Sequence, residues 1–231
     1  ARNTLTLFGQ LLALVSENQD TLTLVRSVDE IVAAKMEGKL AVIGHLQGTH
    51  SVEYDIDLIR VYAALGVRIV QLAYNERSPA CDGAEEASDA GLSRFGREVV
   101  HLLNELRIIV DLSHTGERSA LEAIEISSAP CVLSHTNPRA VRESPRNASD
   151  KVIKAVAESG GVIGVNAFPA WVTADDRPTL DQFIAHIAYL RDLVGPDHVG
   201  LGLDYFPGNI PPEQYEGFIR RGVWQAANYP P

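Results

Sequence analysis

Cysteine is nearly absent from this chain. Two residues, Cys81 and Cys131, among 231 give no disulfide framework and no zinc-ribbon spacing, which favours a reducing, cytoplasmic setting. Basic charge is also short. Twenty Lys and Arg face 30 Asp and Glu, for a net charge of −10 and a pI near 5.1, so binding to a nucleic-acid backbone is disfavoured. Long hydrophobic runs are missing too. The longest, Leu5 to Val15, is broken by Gly9 and Gln10 and falls short of the roughly 20 residues a membrane span needs. It lacks the basic start and small-residue cleavage site of a signal peptide. No block of like charges suggests a binding tail, and no short internal period suggests a solenoid. With 45% hydrophobic and 22% charged residues, what remains is an ordinary globular composition, long enough for one large α/β domain.

What is present is an alternation of helix and strand patterns. Residues 3–18 and 27–38 read as helices, the second opening on Ser27-Val-Asp-Glu30, a capping-box signature. Ala41 to Leu46 reads as a strand, 53–65 as a helix with Ile56, Ile59 and Tyr62 on one face, and Val67 to Ala73 as a strand. A long polar loop through Cys81-Asp82-Gly83 to Gly91 leads to helix 93–106. Loops of that length are usually functional or mobile, and its charges Asp82, Glu85 and Glu86 read as solvated. Strand 108–112, helix 116–127 and strand 131–133 form a βαβ unit. Helix 149–159, strand 162–168, helix 179–194 (opening on a second capping box, Thr179 to Gln182) and strand 198–203 follow. The tail 207–231 reads as mostly irregular, with a short helix near 212–221. Six strands in βα order favour a barrel or an open doubly wound sheet. The chain opens in a helical pattern with neither leader nor first strand, as a truncated fold would.

The chemistry gathers where strands end. In a βαβ unit both strands point the same way, so Val110-Asp-Leu-Ser-His114 and Val132-Leu-Ser-His135 deliver two histidines to one carboxyl-terminal edge. On neighbouring strands about 4.8 Å apart, they could share a metal ion. The other strand ends supply Gln47, Tyr74, Asn166 and Asp204. This edge is where α/β proteins bind ligands. One strand-end histidine is usually a hydrogen-bonded structural residue; two in the same position, with a terminal carboxylate, favour a metal site of the His₂-carboxylate kind with zinc. His101 and His186 fall within helices, and His198 lies at the opposite edge. His45 and His50 flank Gln47 and are weaker metal candidates. Arg146, after a proline-restricted turn, offers either a fork for a substrate carboxylate or a salt bridge that fixes its loop.

At these residues the sequence resembles the membrane (renal) dipeptidase family, zinc metallopeptidases of the amidohydrolase type. The resemblance runs from about Leu5 to Phe206. It rests on Gly91-Leu-Ser-Arg-Phe-Gly96, Val110-Asp-Leu-Ser-His114, Leu133-Ser-His135, Pro145-Arg-Asn147, the Gly-Val-Ile-Gly-Val-Asn strand and Gly202-Leu-Asp204. It implies an eight-stranded (βα)8 TIM-type barrel, here with six readable strands and the first two missing, as one domain over residues 1–206 with the tail attached. It also implies two zinc ions and hydrolysis of dipeptides. His114 and His135 would bind one zinc, Gln47 would stand at the bridging ligand's position, Arg146 with Asn147 and Tyr74 would face substrate, and Asp204 would handle protons.

Three departures qualify that expectation. The family's first strand carries a His-x-Asp pair for the other zinc, and no such strand is readable. The bridging glutamate falls on Gln47, a neutral amide, and a substrate-facing histidine falls on Tyr74. One expectation is therefore a zinc-dependent dipeptidase acting on a small dipeptide-like substrate, with one zinc retained. The alternative is a non-catalytic or degenerate barrel that needs a partner to cover its sheet edges, with a homodimer among the arrangements compatible with that.

Overall fold

A computed structural model describes residues 1–175 and 177–205, together with Glu213 and Glu216. The expected tail 207–231 and its helix at 212–221 otherwise lie outside the described residues.

Helix and strand alternate in the order α1 (Arg2–Glu17), β1 (Leu22–Leu24), α2 (Val28–Met36), β2 (Leu40–Val42), β3 (Gly44–Gln47), α3 (Asp57–Leu65), β4 (Val67–Gln71), α4 (Arg94–Glu105) and β5 (Ile109–Asp111). There follow α5 (Glu117–Ile126), β6 (Leu133–Thr136), α6 (Asp150–Glu158), β7 (Ile163–Val165), α7 (Pro169–Val172), α8 (Leu180–Val194) and β8 (Val199–Leu201). The strands make three parallel sheets, ordered β1-β2, β3-β4-β5 and β6-β7-β8. Among the described residues no pairing closes them into a barrel.

Two expectations need correcting. A strand, Leu22–Leu24, precedes the six that were read, in register with Leu40–Val42. Three residues within Thr21-Leu-Thr-Leu-Val25 are too few for period-two alternation to stand out. The single strand expected at 41–46 is two, Leu40–Val42 and Gly44–Gln47, separated at Ile43. β2 then serves β1 while β3 serves β4. A Cβ on Gly44 would lie 3.0 Å from the Gly66 carbonyl oxygen and 3.1 Å from the Phe8 ring, so a larger residue at the head of β3 would crowd both.

The chain divides into two compact units, residues 1–132 with 159–161, and 133–158 with the described residues from 162 onward. In the first, Val70, Leu72, Val110 and Leu112 of the sheet meet Ile59, Tyr62, Val99 and Leu103 from the helices, all essentially fully buried. In the second, Ile163, Val165, Ile153, Val156 and Leu190 do the same. Burying each such aliphatic side chain contributes about 1.5–3 kcal/mol. That packing fixes the strands, and the strands fix what projects from their ends.

The helix starts follow their sequence signatures. Ser27 Oγ accepts from Glu30 N (3.3 Å), while the Glu30 carboxylate accepts from Arg26 N (2.6 Å) rather than from Ser27. At α8 both arms of the capping box form between Thr179 and Gln182. The loop from 81 to 91 is tied down at Asp82, which was expected to be a solvated charge, whereas Glu85 is exposed as expected. Asp82 is buried, ion-pairs with Arg77 and accepts from Ala90 N at 2.7 Å.

Candidate functional site

In the first unit, Gln47, Gln71 and Asp111 close β3, β4 and β5 and sit in register as one row. Side chains at the same register point to the same face, so three polar groups line up across the sheet end. Gln47 is exposed, whereas Gln71 and Asp111 are fully buried. Gln71 Nε2 donates to the Ala73 carbonyl at 2.6 Å. Asp111 Oδ1 accepts from Ser113 N at 3.0 Å, and its Oδ2 lies 3.2 Å from His45 Nε2. The His45 ring thus sits beside a buried carboxylate. His50 Nε2 is 3.1 Å from the Arg77 carbonyl oxygen.

Three residues beyond β4 and β5 come Tyr74 and His114. The Tyr74 ring stacks on the His114 imidazole, centroids 4.3 Å apart and 20° from parallel. His114 Nδ1 and Asn75 Oδ1 share a hydrogen bond of 2.5 Å. Both His114 (φ 62°) and Asn75 (φ 58°) occupy the left-handed region, which costs a non-glycine residue roughly 1–3 kcal/mol and persists only where surroundings enforce it.

In the second unit His135 lies within β6 and is buried. Its Nδ1 is 2.7 Å from Ser134 Oγ. Arg146 is 3% exposed. Its Nη2 donates to the His135 carbonyl at 2.7 Å and its Nη1 to Thr136 Oγ1 at 3.1 Å, so the guanidinium anchors the strand segment that carries the histidine. Asn147 donates to the Arg142 and Trp171 carbonyls at 2.8 and 3.0 Å, a loop-fixing arrangement. Asp204, three residues past β8, takes φ 55°, and its Oδ2 accepts from Asn166 Nδ2 at 3.3 Å. Asn166 is itself fixed. Its N donates to Asn137 Oδ1 at 3.1 Å, and Asn137 Nδ2 returns a bond to the Asn166 carbonyl at 2.9 Å.

Tyr74, Asn75 and His114 therefore form one cluster in the first unit. His135 with Arg146, and Asn166 with Asp204, are brought together in the second. Gln47 lies at the end of its own strand, in register with Gln71. Neither cysteine belongs to the chemistry: burial pushes the Cys81 thiol up to about 12 and raises that of Cys131, leaving neutral thiols. His186 is a core residue whose Nε2 meets the Val172 carbonyl oxygen at 2.9 Å. Sequence reasoning missed Asn75 and Ser134, the groups that grip the two histidines; each is a sequence neighbour of a residue that was read.

Among the described residues no three of His, Cys, Asp and Glu gather as a metal-binding group. Each strand-end histidine taken singly nevertheless has the donor chemistry of a zinc ligand. A histidine gripped through Nδ1 by an oxygen presents Nε2 as the coordinating nitrogen, which is how protein ligands to zinc are oriented. His114 has that arrangement, and His135 has it when Ser134 Oγ accepts. Gln47 brings no charge with which to bridge two cations.

Comparison with known proteins decides the kinship. Residues 1–219 match the family described as membrane dipeptidase, peptidase family M19. The chain belongs to the membrane dipeptidase family. It is 33% identical over 199 residues to an uncharacterised dipeptidase of Schizosaccharomyces pombe, covering 83% of this chain and 48% of that protein. It is 30% identical over 190 residues to the dipeptidase tcpJ of Claviceps purpurea, covering 80% and 44%. The chain thus spans about half the length of these curated relatives. Among solved structures, an amidohydrolase from Pseudomonas aeruginosa superposes with a TM-score of 0.87 at 35% identity, over 90% of this chain and 64% of that one. A metallopeptidase from Rhodobacter sphaeroides, bound to a phosphinate mimic of L-Ala-D-Ala, gives 0.82 at 24% identity over 94% and 67%. The parallel βα units are those of the metallopeptidase and amidohydrolase fold of this family.

Proposed function

We propose that this chain carries the zinc-binding and substrate-binding strand ends of a dipeptidase that hydrolyses the peptide bond of dipeptides. The observation that carries the reading is the grip on the two strand-end histidines. Each has an oxygen at hydrogen-bonding distance from Nδ1, Asn75 Oδ1 for His114 and Ser134 Oγ for His135. His114 and His135 would each serve as a zinc ligand. When bound, zinc supplies a Lewis acid that makes water nucleophilic at neutral pH and polarises a carbonyl.

The rest falls to the chain's own residues. Arg146 brings a buried positive charge beside His135, anchored through the His135 carbonyl and Thr136, and would face the substrate's free carboxylate. Asn147 holds the Arg146 loop through the Arg142 and Trp171 carbonyls. Tyr74 packs against His114 and would form the wall on the substrate side. Asp204, oriented by the Asn166 amide, would take and return protons at its carboxylate. The dipeptide-like substrate is supported by the family and by the phosphinate dipeptide mimic held by the Rhodobacter sphaeroides relative.

The test is release of amino acids from a dipeptide panel by the full-length protein, before and after chelation and with zinc restored. Turnover that vanishes on chelation and returns with zinc is expected; metal-independent turnover, or none, would overturn the reading. A second reading is favoured by Gln47, whose neutral amide the resemblance puts at the bridging ligand's position. On that reading the chain binds one zinc and does not turn substrate over. Amino-acid release separates the two, because zinc-dependent turnover would exclude a protein that binds zinc without hydrolysing substrate.

A further inference from the structure

We propose that Asn75 is a positioning residue that sets the tautomer and orientation of His114. The inference rests on the reading of His114 as a zinc ligand and deepens it by giving Asn75 a role of its own. An amide oxygen can only accept a hydrogen bond. At 2.5 Å from Asn75 Oδ1, His114 Nδ1 must therefore carry the proton, and in the neutral ring the electron pair then sits on Nε2. Tyr74, stacked at 4.3 Å and 20°, restrains the ring plane, so the imidazole is fixed in both rotation and proton placement.

The pairing is enforced by backbone rather than by chance side-chain contact. Residues 82–85 run between the two loops and bond to both. Ala84 N donates to the His114 carbonyl at 2.8 Å, and Glu85 N donates to the Asn75 carbonyl at 2.9 Å. Gly83 bridges antiparallel to Thr115. A Cβ on Gly83 would stand only 2.1 Å from the Asn75 carbonyl oxygen, so the clamp can close only around glycine. Asn75 and His114 both take φ near +60°, and asparagine is among the few side chains that visit that region readily. The residue type thus suits two demands at once, a left-handed turn and an acceptor aimed at Nδ1.

Those two demands can be separated by substitution. Asn75→Gly keeps the left-handed backbone and removes the acceptor, whereas Asn75→Asp keeps an acceptor and tolerates the same φ. Two readouts apply to the purified chain: the His114 tautomer by long-range proton–nitrogen correlation without metal, and zinc affinity by competition with a chromogenic chelator. In the unsubstituted chain His114 should be protonated at Nδ1. Asn75→Gly should lose that tautomer and bind zinc about 10–100-fold more weakly, while Asn75→Asp should stay within about threefold. A purely structural role for Asn75 would leave the tautomer unchanged in Asn75→Gly. Protonation of His114 at Nε2 in the unsubstituted chain, or unchanged zinc affinity in Asn75→Gly, would overturn the proposal. If the tautomer responds as expected but the unsubstituted chain binds no zinc, the positioning role stands and the ligand reading fails.

Discussion

Arg146 shows at residue scale how one buried side chain supports the strand segment that carries a candidate ligand. Its guanidinium is buried and donates to the His135 carbonyl and Thr136 Oγ1, while its backbone N donates to Ser144 Oγ at 3.2 Å. Hydrogen bonds from a charged donor contribute about 1.5–3 kcal/mol each, so Arg146→Met should lower stability by about 3 kcal/mol. A urea unfolding midpoint that does not move would show that these bonds add nothing net. Strand-end residues such as His114, His135 and Asp204 were legible in the sequence because each follows a short apolar run that a parallel sheet must bury. What grips them was not. Ser134 and His135 are consecutive in a strand and nominally face opposite sides, and Asn75 reaches His114 only because both residues take positive φ. No periodicity encodes that backbone choice.

Among elements, Glu122 of α5 joins three segments. It accepts from Leu92 N at 3.0 Å and pairs with Arg97 of α4 and Arg118 of its own helix, each at 2.9 Å. Burial would raise its pKa, but the Leu92 N–H and the two arginines outweigh burial and hold it below the ordinary 4.5. A carboxylate with a depressed folded pKa stabilises fully above its unfolded value, and that contribution is lost as pH falls through the folded one. The unfolding midpoint of the unsubstituted chain should therefore fall as pH drops below about 4.5, and Glu122→Gln should show a shallower fall over that range. Parallel slopes for the two proteins would refute the assignment. The helices around this link were readable because capping residues and apolar periodicity agree there. Ser93 Oγ accepts from Gly96 N at 2.9 Å at the head of α4, and Val99, Val100 and Leu103 form its buried stripe. Strand β1 and the break between β2 and β3 were not readable, since both depend on pairing choices made by partner strands rather than on local pattern.

For the whole molecule, the balance lies between exposed apolar surface and negative charge. On α1, Leu7 and Leu14 are 66% and 51% exposed and lie with Leu11 at the i, i+4, i+7 spacing of one helix face. Leu7 and Leu11 also line a cavity of about 540 Å³ that reaches His45 and Gln47. Met36 of α2, Leu40 of β2 and Leu201 of β8 are exposed as well. Apolar surface of this kind drives association, whereas a net charge of −10 opposes it. Salt screens the repulsion and leaves the hydrophobic drive in place. In sedimentation, the weight-average mass of the isolated chain should therefore rise above 25.1 kDa as concentration rises, and rise further with added salt. Association through ion pairs would respond to salt in the opposite sense. Replacing Leu7 and Leu14 together by Glu adds two charges to the apolar face and should return the chain to its monomer mass at every salt concentration. A mass that stays at 25.1 kDa for the unsubstituted chain in high salt would show that α1 and its neighbours are stable against water without a covering surface.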